Sequence, residues 1–173
     1  TPLIGYSYHV QYLSITDGVQ TLETPGITPP LGPFPGLDSN YDARWQGLWF
    51  GLDTAFRIFR RDRVTLAHEF ILGGEYHWDA DYYGVGNWNL RSDLEHPKSF
   101  EHRADGQGYI LTGEYRFYLT RKWSLNLNGN YQKWDTDPGS DKMFFSDGTT
   151  AMMQLNEVNW ESWAVMFGVN CQF

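Results

Sequence analysis

The stretch that most constrains this chain is its last sixteen residues, Val158 to Phe173. Every second position from Trp163 is apolar: Trp163, Val165, Phe167, Val169, Cys171 and Phe173. The positions between them, Ser162, Ala164, Gly168, Asn170 and Gln172, are small or polar, with Met166 as the one exception. Side chains alternate between the faces of a strand, so this is a strand with one oily and one wet face. A soluble sandwich gives the same alternation in shorter strands. The length, the aromatic ends and the terminal Phe suit a strand that crosses an outer membrane.

Composition narrows the class. Hydrophobic residues make up 41% of the chain and mean hydropathy is −0.51. No run of about eighteen apolar residues occurs, so no helix spans a bilayer. Yet 17% of residues are aromatic, with 8 Trp and 11 Tyr. Low hydropathy with many aromatics fits a barrel, because half of each strand faces water inside; a Trp-rich soluble lectin is the bland alternative. The net charge of −8 argues against nucleic acid as a partner. It is compatible with a cationic substrate or partner, although acidic solvated loops are the commoner cause. The single cysteine excludes an intrachain disulfide, and Cys171 reads as lipid-facing packing. No signal peptide precedes Thr1, so the sequence is expected to be a mature or trimmed form.

Six strands alternate in the same way. They cover Leu3 to Ile15, Trp45 to Phe59, Val64 to about Tyr83, Gly108 to Thr120, Trp123 to Trp134, and the C-terminal stretch. Three long connections lie between them, about 16–44, 84–107 and 135–157; the first carries Pro25, Pro29, Pro30, Pro33 and Pro35. Proline removes ladder donors, so that segment reads as loop. Lys142 to Leu155 reads as an extracellular hairpin outside the wall. The other two connections are short polar turns, at Arg60–Arg63 and Thr120–Lys122. Short periplasmic turns alternating with long extracellular loops are what outer-membrane barrels show. The expectation is a single all-β domain, an antiparallel transmembrane β-barrel in the bacterial outer membrane, in contact with lipid and lipopolysaccharide. Six strands are too few to close in lipid, where open edges are penalised. Additional N-terminal strands are therefore expected, giving a barrel of about ten.

The wet faces hold the candidates for chemistry. Glu75, His77, Asp79, Asp81 and Tyr83 share one parity on the third strand and are expected to point into the lumen. Neighbouring carboxylates raise each other's proton affinity, and a nearby His can take a proton. A polar lumen must be filled with such groups in any case, which is the plainer reading. His68 falls on the lipid parity, a blemish in the pattern. Asp53, Arg57, Glu114 and Arg116 read as lumen ion pairs, and inward Trp49, Phe59 and Tyr118 as a partial plug.

These long strands with acidic inward ends, the alternating connections, the run Gly113-Glu114-Tyr115-Arg116-Phe117 and the terminal Phe resemble the omptins, ten-stranded outer-membrane endoproteases that cut next to basic residues. The similarity implies that the chain corresponds to the last six strands. It places Asp79 at the substrate-binding Asp, Asp81 at the catalytic Asp and Tyr83 at the catalytic His. A phenol with a pKa near 10 cannot replace imidazole as a base at neutral pH. His77 is the remaining candidate base, with Glu75 beside Asp79 and Tyr83 for substrate binding.

The resemblance thus implies an omptin-like scaffold that is non-proteolytic, a structural, binding or assembly component with a protein partner or peptide at its loops. An omptin-type endoprotease and a passive pore are the alternatives. No cofactor and no metal are expected. His68-Glu69 lacks the second His of a zinc-protease helix motif, and His96 with His102 lacks a third ligand. Asp135, Asp137, Gly139 and Asp141 begin like a calcium loop, but its twelfth position is Ser146.

Overall fold

The computed structural model describes the chain except for Ile27, Pro29, Arg63, Val64 and Phe173. Expectations that fall on Pro29, Arg63, Val64 and Phe173 therefore lie outside the described residues. The elements are β1 Pro2–Thr16, β2 Val19–Gln20, β3 Gly32–Pro33, β4 Asp38–Phe59, β5 Leu66–Asn87, β6 Phe100–Tyr118, β7 Trp123–Thr136, β8 Gly139–Phe144, β9 Thr150–Leu155 and β10 Asn159–Cys171. The wall is one antiparallel sheet in the order β1-β4-β5-β6-β7-β10, with β8 attached to the outer end of β6 and β9 paired to β8. The sheet is strongly curled. His9 on β1 meets Trp134 on β7 across the concave side, their ring centroids 5.0 Å apart, although three strands separate them. The result is an all-β half-barrel, and the all-β barrel class expected from alternation holds.

Two of the connections are tight. Arg60 and Thr65 pair through their backbones, and the Asp62 carboxylate accepts from the Thr65 amide at 2.8 Å. The Thr120 hydroxyl accepts from the amides of Lys122 and Trp123, both at 3.1 Å. Side chains that hydrogen-bond the backbone two or three residues on close such turns without glycine. The opposite rim carries the long connections, but they are more ordered than the composition implies. Segment 16–44 contains the small β2–β3 ladder and the start of β4, and segment 84–107 contains the end of β5 and the start of β6. In 135–157 the expected hairpin is present as β8 and β9.

The convex face is an apolar belt. Phe50, Leu52, Phe56, Phe70, Leu72, Leu111, Leu127 and Val165 are all exposed on it, and Phe167 is 69% exposed. An uninterrupted oily surface of that extent is an interaction surface, and here the solvent it suits is lipid. From Leu48 to Ile58 on β4, and from Trp163 to Cys171 on β10, the belt is as deep as a tilted strand of about 9–11 residues crossing a bilayer. His68, out of place by parity, lies flat against Phe117 at 5.1 Å and hydrogen-bonds the Tyr115 hydroxyl at 2.9 Å. Ring stacking covers its faces, which explains how lipid tolerates it.

Inside the same zone the concave face is polar. Buried Glu69 accepts from Arg57 Nε at 2.6 Å and from the Tyr118 hydroxyl at 3.1 Å, and Arg116 bridges it to Glu114. Of the expected lumen ion pairs, those of Arg57, Glu114 and Arg116 are thus present, with Glu69 at their centre, whereas Asp53 takes no part in them. Nearer the long-loop rim the concave face turns apolar. Ala43, Trp45, Ala80, Tyr82, Ala104, Ile110 and Trp134 form a dry cluster, with Tyr41, Leu155, Val158 and Trp160 packed against it. Burying one large apolar side chain contributes roughly 1.5–3 kcal/mol. The main plug is therefore Trp45 with Trp134, rather than Trp49, Phe59 and Tyr118.

Candidate functional site

The site predicted on the third strand turns on one irregularity of β5. Below it, Trp49 pairs with His77; above it, Leu48 pairs with Asp79, so Trp78 is one residue too many for β4. The ladder to β6 slips at the same place, between His77 opposite Gly108 and Ala80 opposite Gly106. This is a β-bulge, and beyond an extra residue every side chain of a strand changes face. Burial follows: Glu69 and His77 are buried below the bulge, Ala80 and Tyr82 above it. Strand β4 has no such insertion, so Trp45 receives Tyr82 on the concave side, ring centroids 4.5 Å apart.

The five predicted residues are thereby divided. Glu75 and His77 point inward, as expected. Asp79, Asp81 and Tyr83 do not; they share the convex face with Leu48, Gln46 and Arg44, the residues they pair with. Asp81 accepts from Gln46 Nε2 at 3.0 Å. The Tyr83 ring lies between two guanidiniums, Arg44 at 4.9 Å and Arg103 at 4.6 Å, and its hydroxyl donates to Glu101 at 3.2 Å. Cation–π contacts of this kind hold a ring flat against the surface. An ideal period of two would put all five on one face, and one inserted residue reverses the last three.

His77 is sealed rather than poised. It has 0% exposure. Its Nδ1 is 3.1 Å from the Ser7 hydroxyl, and its Nε2 lies 3.3 Å from a Glu75 carboxylate oxygen without a hydrogen-bonding geometry. Trp134 covers it at 4.5 Å and Trp49 at 5.9 Å, with His9 beside it at 6.2 Å. The order Ser7–His77–Glu75 has the connectivity of a nucleophile, base and acid, yet a base with no exposed surface has no room for a substrate. Sequence reasoning missed Ser7 and His9. Both lie on the polar parity of β1, and only the curl of the sheet brings them to His77.

A second polar cluster sits at the long-loop rim. Tyr41 hydrogen-bonds Tyr82 and, at 2.9 Å, His102 Nδ1, while His102 Nε2 lies 3.4 Å from Asp141 on β8. Burial raises Tyr41 above the ordinary phenol range and lowers His102. Glu101 is different: burial alone raises it, but Lys98 and Arg103 hold it down to about 2. His96 is elsewhere, against Asn87 at 2.7 Å. Among the described residues no group of three His, Cys, Asp or Glu side chains is arranged to hold a metal ion.

The comparisons agree with the wall rather than with any catalytic assignment. No curated protein matches the chain. The sequence does match one family along its whole length, residues 1–173. A curled antiparallel sheet with an oily convex face is the architecture such a family requires in its bilayer. The chain belongs to the Protochlamydia outer membrane protein family and is a bacterial outer-membrane β-barrel protein.

Proposed function

We propose that the chain is wall and rim of a non-proteolytic outer-membrane barrel, acting as a structural or binding component of the cell surface. The observation that carries this reading is the bulge at Trp78–Asp79. With His77 on the concave side and Asp81 on the convex side, no single water can contact both, so the acid–base pair that an omptin-like mechanism needs is not assembled. An omptin-like scaffold, in which β1 and β10 are flanked by further strands to a total of about ten, is supported by edges that pair with no strand among the described residues, since unpaired backbone in lipid is heavily penalised. Asp79, Asp81, Arg44 and Arg103 just above the belt suit lipopolysaccharide headgroups, and the loops above them suit a protein or peptide partner.

The test is incubation of the purified protein with peptides containing paired basic residues. No cleavage is expected, and the same null result for Asp81→Asn. Cleavage that Asp81→Asn or His77→Ala abolishes would end this reading in favour of an endoprotease.

A passive pore is the second reading, favoured by the polar concave face of β7, where Asn126, Asn128, Asn130 and Gln132 follow one another on one side. Stepwise conductance in planar bilayers that rises in Trp45→Ala, which thins the plug, would support it.

A further inference from the structure

We propose that the cleft between the outer end of β6, the β8–β9 hairpin and Trp88 binds a small organic cation, an alkyl- or arylammonium group. The cleft has a volume of about 410 Å³, within the roughly 300–1,000 Å³ of small-molecule sites. Its apolar lining includes Trp88, Phe100 and Met143, and its charge comes from Asp141 and Glu157, with no Lys or Arg among the lining residues. The register builds it: His102 stands opposite Asp141, and Phe100 opposite Met143. Phe100 is held between Tyr41 at 5.8 Å and Trp88 at 5.2 Å, so the aromatic wall is set in advance.

The feature that points to a ligand is the Asp141 carboxylate. Its Oδ1 is buried against His102 Nε2 at 3.4 Å, and the side chain is still 19% exposed. A carboxylate held by one long contact to a neutral ring keeps most of its charge, and an ammonium donor would give it a charge-assisted hydrogen bond. His102 does not neutralise it, because burial keeps the imidazole below its ordinary pKa. The nearby lysines are engaged elsewhere: Lys98 and Lys142 lie over Phe144 at 4.7 and 5.0 Å. Arg91, over the Trp88 ring at 5.9 Å, is committed to Asp93 through two hydrogen bonds. Aromatic faces beside unneutralised carboxylates attract ammonium groups in preference to neutral molecules of the same shape. The site does not depend on the proposed function, since a protease or a pore would keep it.

The test is calorimetric titration of the folded protein in detergent with benzylammonium, which carries the N–H donors, and with benzyl alcohol as the uncharged comparison. Saturable binding of the cation is expected, at least tenfold weaker in Asp141→Asn and unchanged in Asp147→Asn at the β8–β9 turn. Benzyl alcohol should bind the wild type no better than the cation binds Asp141→Asn. Should Asp141→Asn fail to fold, Trp88→Leu supplies the second variant, with a severalfold loss expected. Absence of saturable binding, equal affinity in folded Asp141→Asn or in Trp88→Leu, or equal affinity for the alcohol would overturn the assignment.

Discussion

The zone below the Trp78–Asp79 bulge and the zone above it are opposite in polarity. Below, Phe70 and Leu72 face outward while Glu69 and His77 face inward. Above, Asp79 and Asp81 face outward, and Ala80 and Tyr82 are buried against Trp45. The lower zone is built for lipid outside and a polar interior, the upper one for water outside and a dry interior. A single inserted residue lets one strand serve both, because it changes the face of every later side chain without interrupting the chain. The teaching is that polarity in a long membrane strand belongs to a depth as well as to a face.

The contrast is broken most severely at the dry cluster. Trp45→Ala should cost about 3–5 kcal/mol, the usual range for a buried aromatic, read as a fall in the urea midpoint of the detergent-folded protein. Next comes close packing at the bulge. A Cβ on Gly47 would stand 1.9 Å from the Asp79 carbonyl oxygen, whereas one on Gly129 in the lower wall meets nothing within 4 Å. Gly47→Ala should therefore lose about 3 kcal/mol, the upper end for overpacking, and Gly129→Ala should change stability by under about 0.5 kcal/mol. Equal effects of the two alanines would count against the bulge as placed.

The lower zone has its own sensitive point at Glu69. Glu69→Gln leaves Arg116 and the mostly exposed Arg57 without their shared carboxylate. Hydrogen bonds to charged groups contribute about 1.5–3 kcal/mol, and a loss at the low end is expected because Arg57 reaches water. The smallest effect belongs to the upper rim. Glu101 is lowered from 4.5 to about 2 by Lys98 and Arg103 against the opposing effect of burial. Its folded form therefore binds protons less readily than the unfolded chain, so its contribution is complete above pH 4.5 and disappears as pH falls through about 2. Hydrogen exchange at the β6–β8 pairing should accelerate across that interval, and Glu101→Gln should remove the pH dependence.

Much of the wall was legible in the sequence because the belt keeps a two-residue period on β4, β6, β7 and β10 and, from Phe70 to Trp78, on β5. The short turns and the β8–β9 hairpin were legible too, the latter from its composition between two loops. The strand ends were not. Asp38 to Arg44 and Arg103 to Gln107 carry charges on the convex face, and above the membrane a charged alternation looks like loop when read alone. The bulge left no break in the pattern. Phe70, Leu72, Gly74, Tyr76 and Trp78 are followed at the same even positions by Ala80, Tyr82, Gly84 and Gly86, so the sequence parity runs on while the face changes. Reading Asp79, Asp81 and Tyr83 as lumenal required an unbroken period across that point. The joining of Ser7 and His9 to His77 had no local signal, since it arises from curvature across several strands.

The most direct test of this inversion is a nitroxide scan of positions 70 to 83 in the folded, bilayer-inserted protein, with Cys171→Ser to remove the native thiol. Collision with dissolved oxygen reports lipid and collision with a soluble nickel chelate reports water. The account predicts oxygen accessibility at 70, 72 and 78, nickel accessibility at 79 and 81, and neither at 80 and 82. An unbroken two-residue alternation from 70 to 83, with 79 and 81 shielded and 80 and 82 exposed, would contradict it.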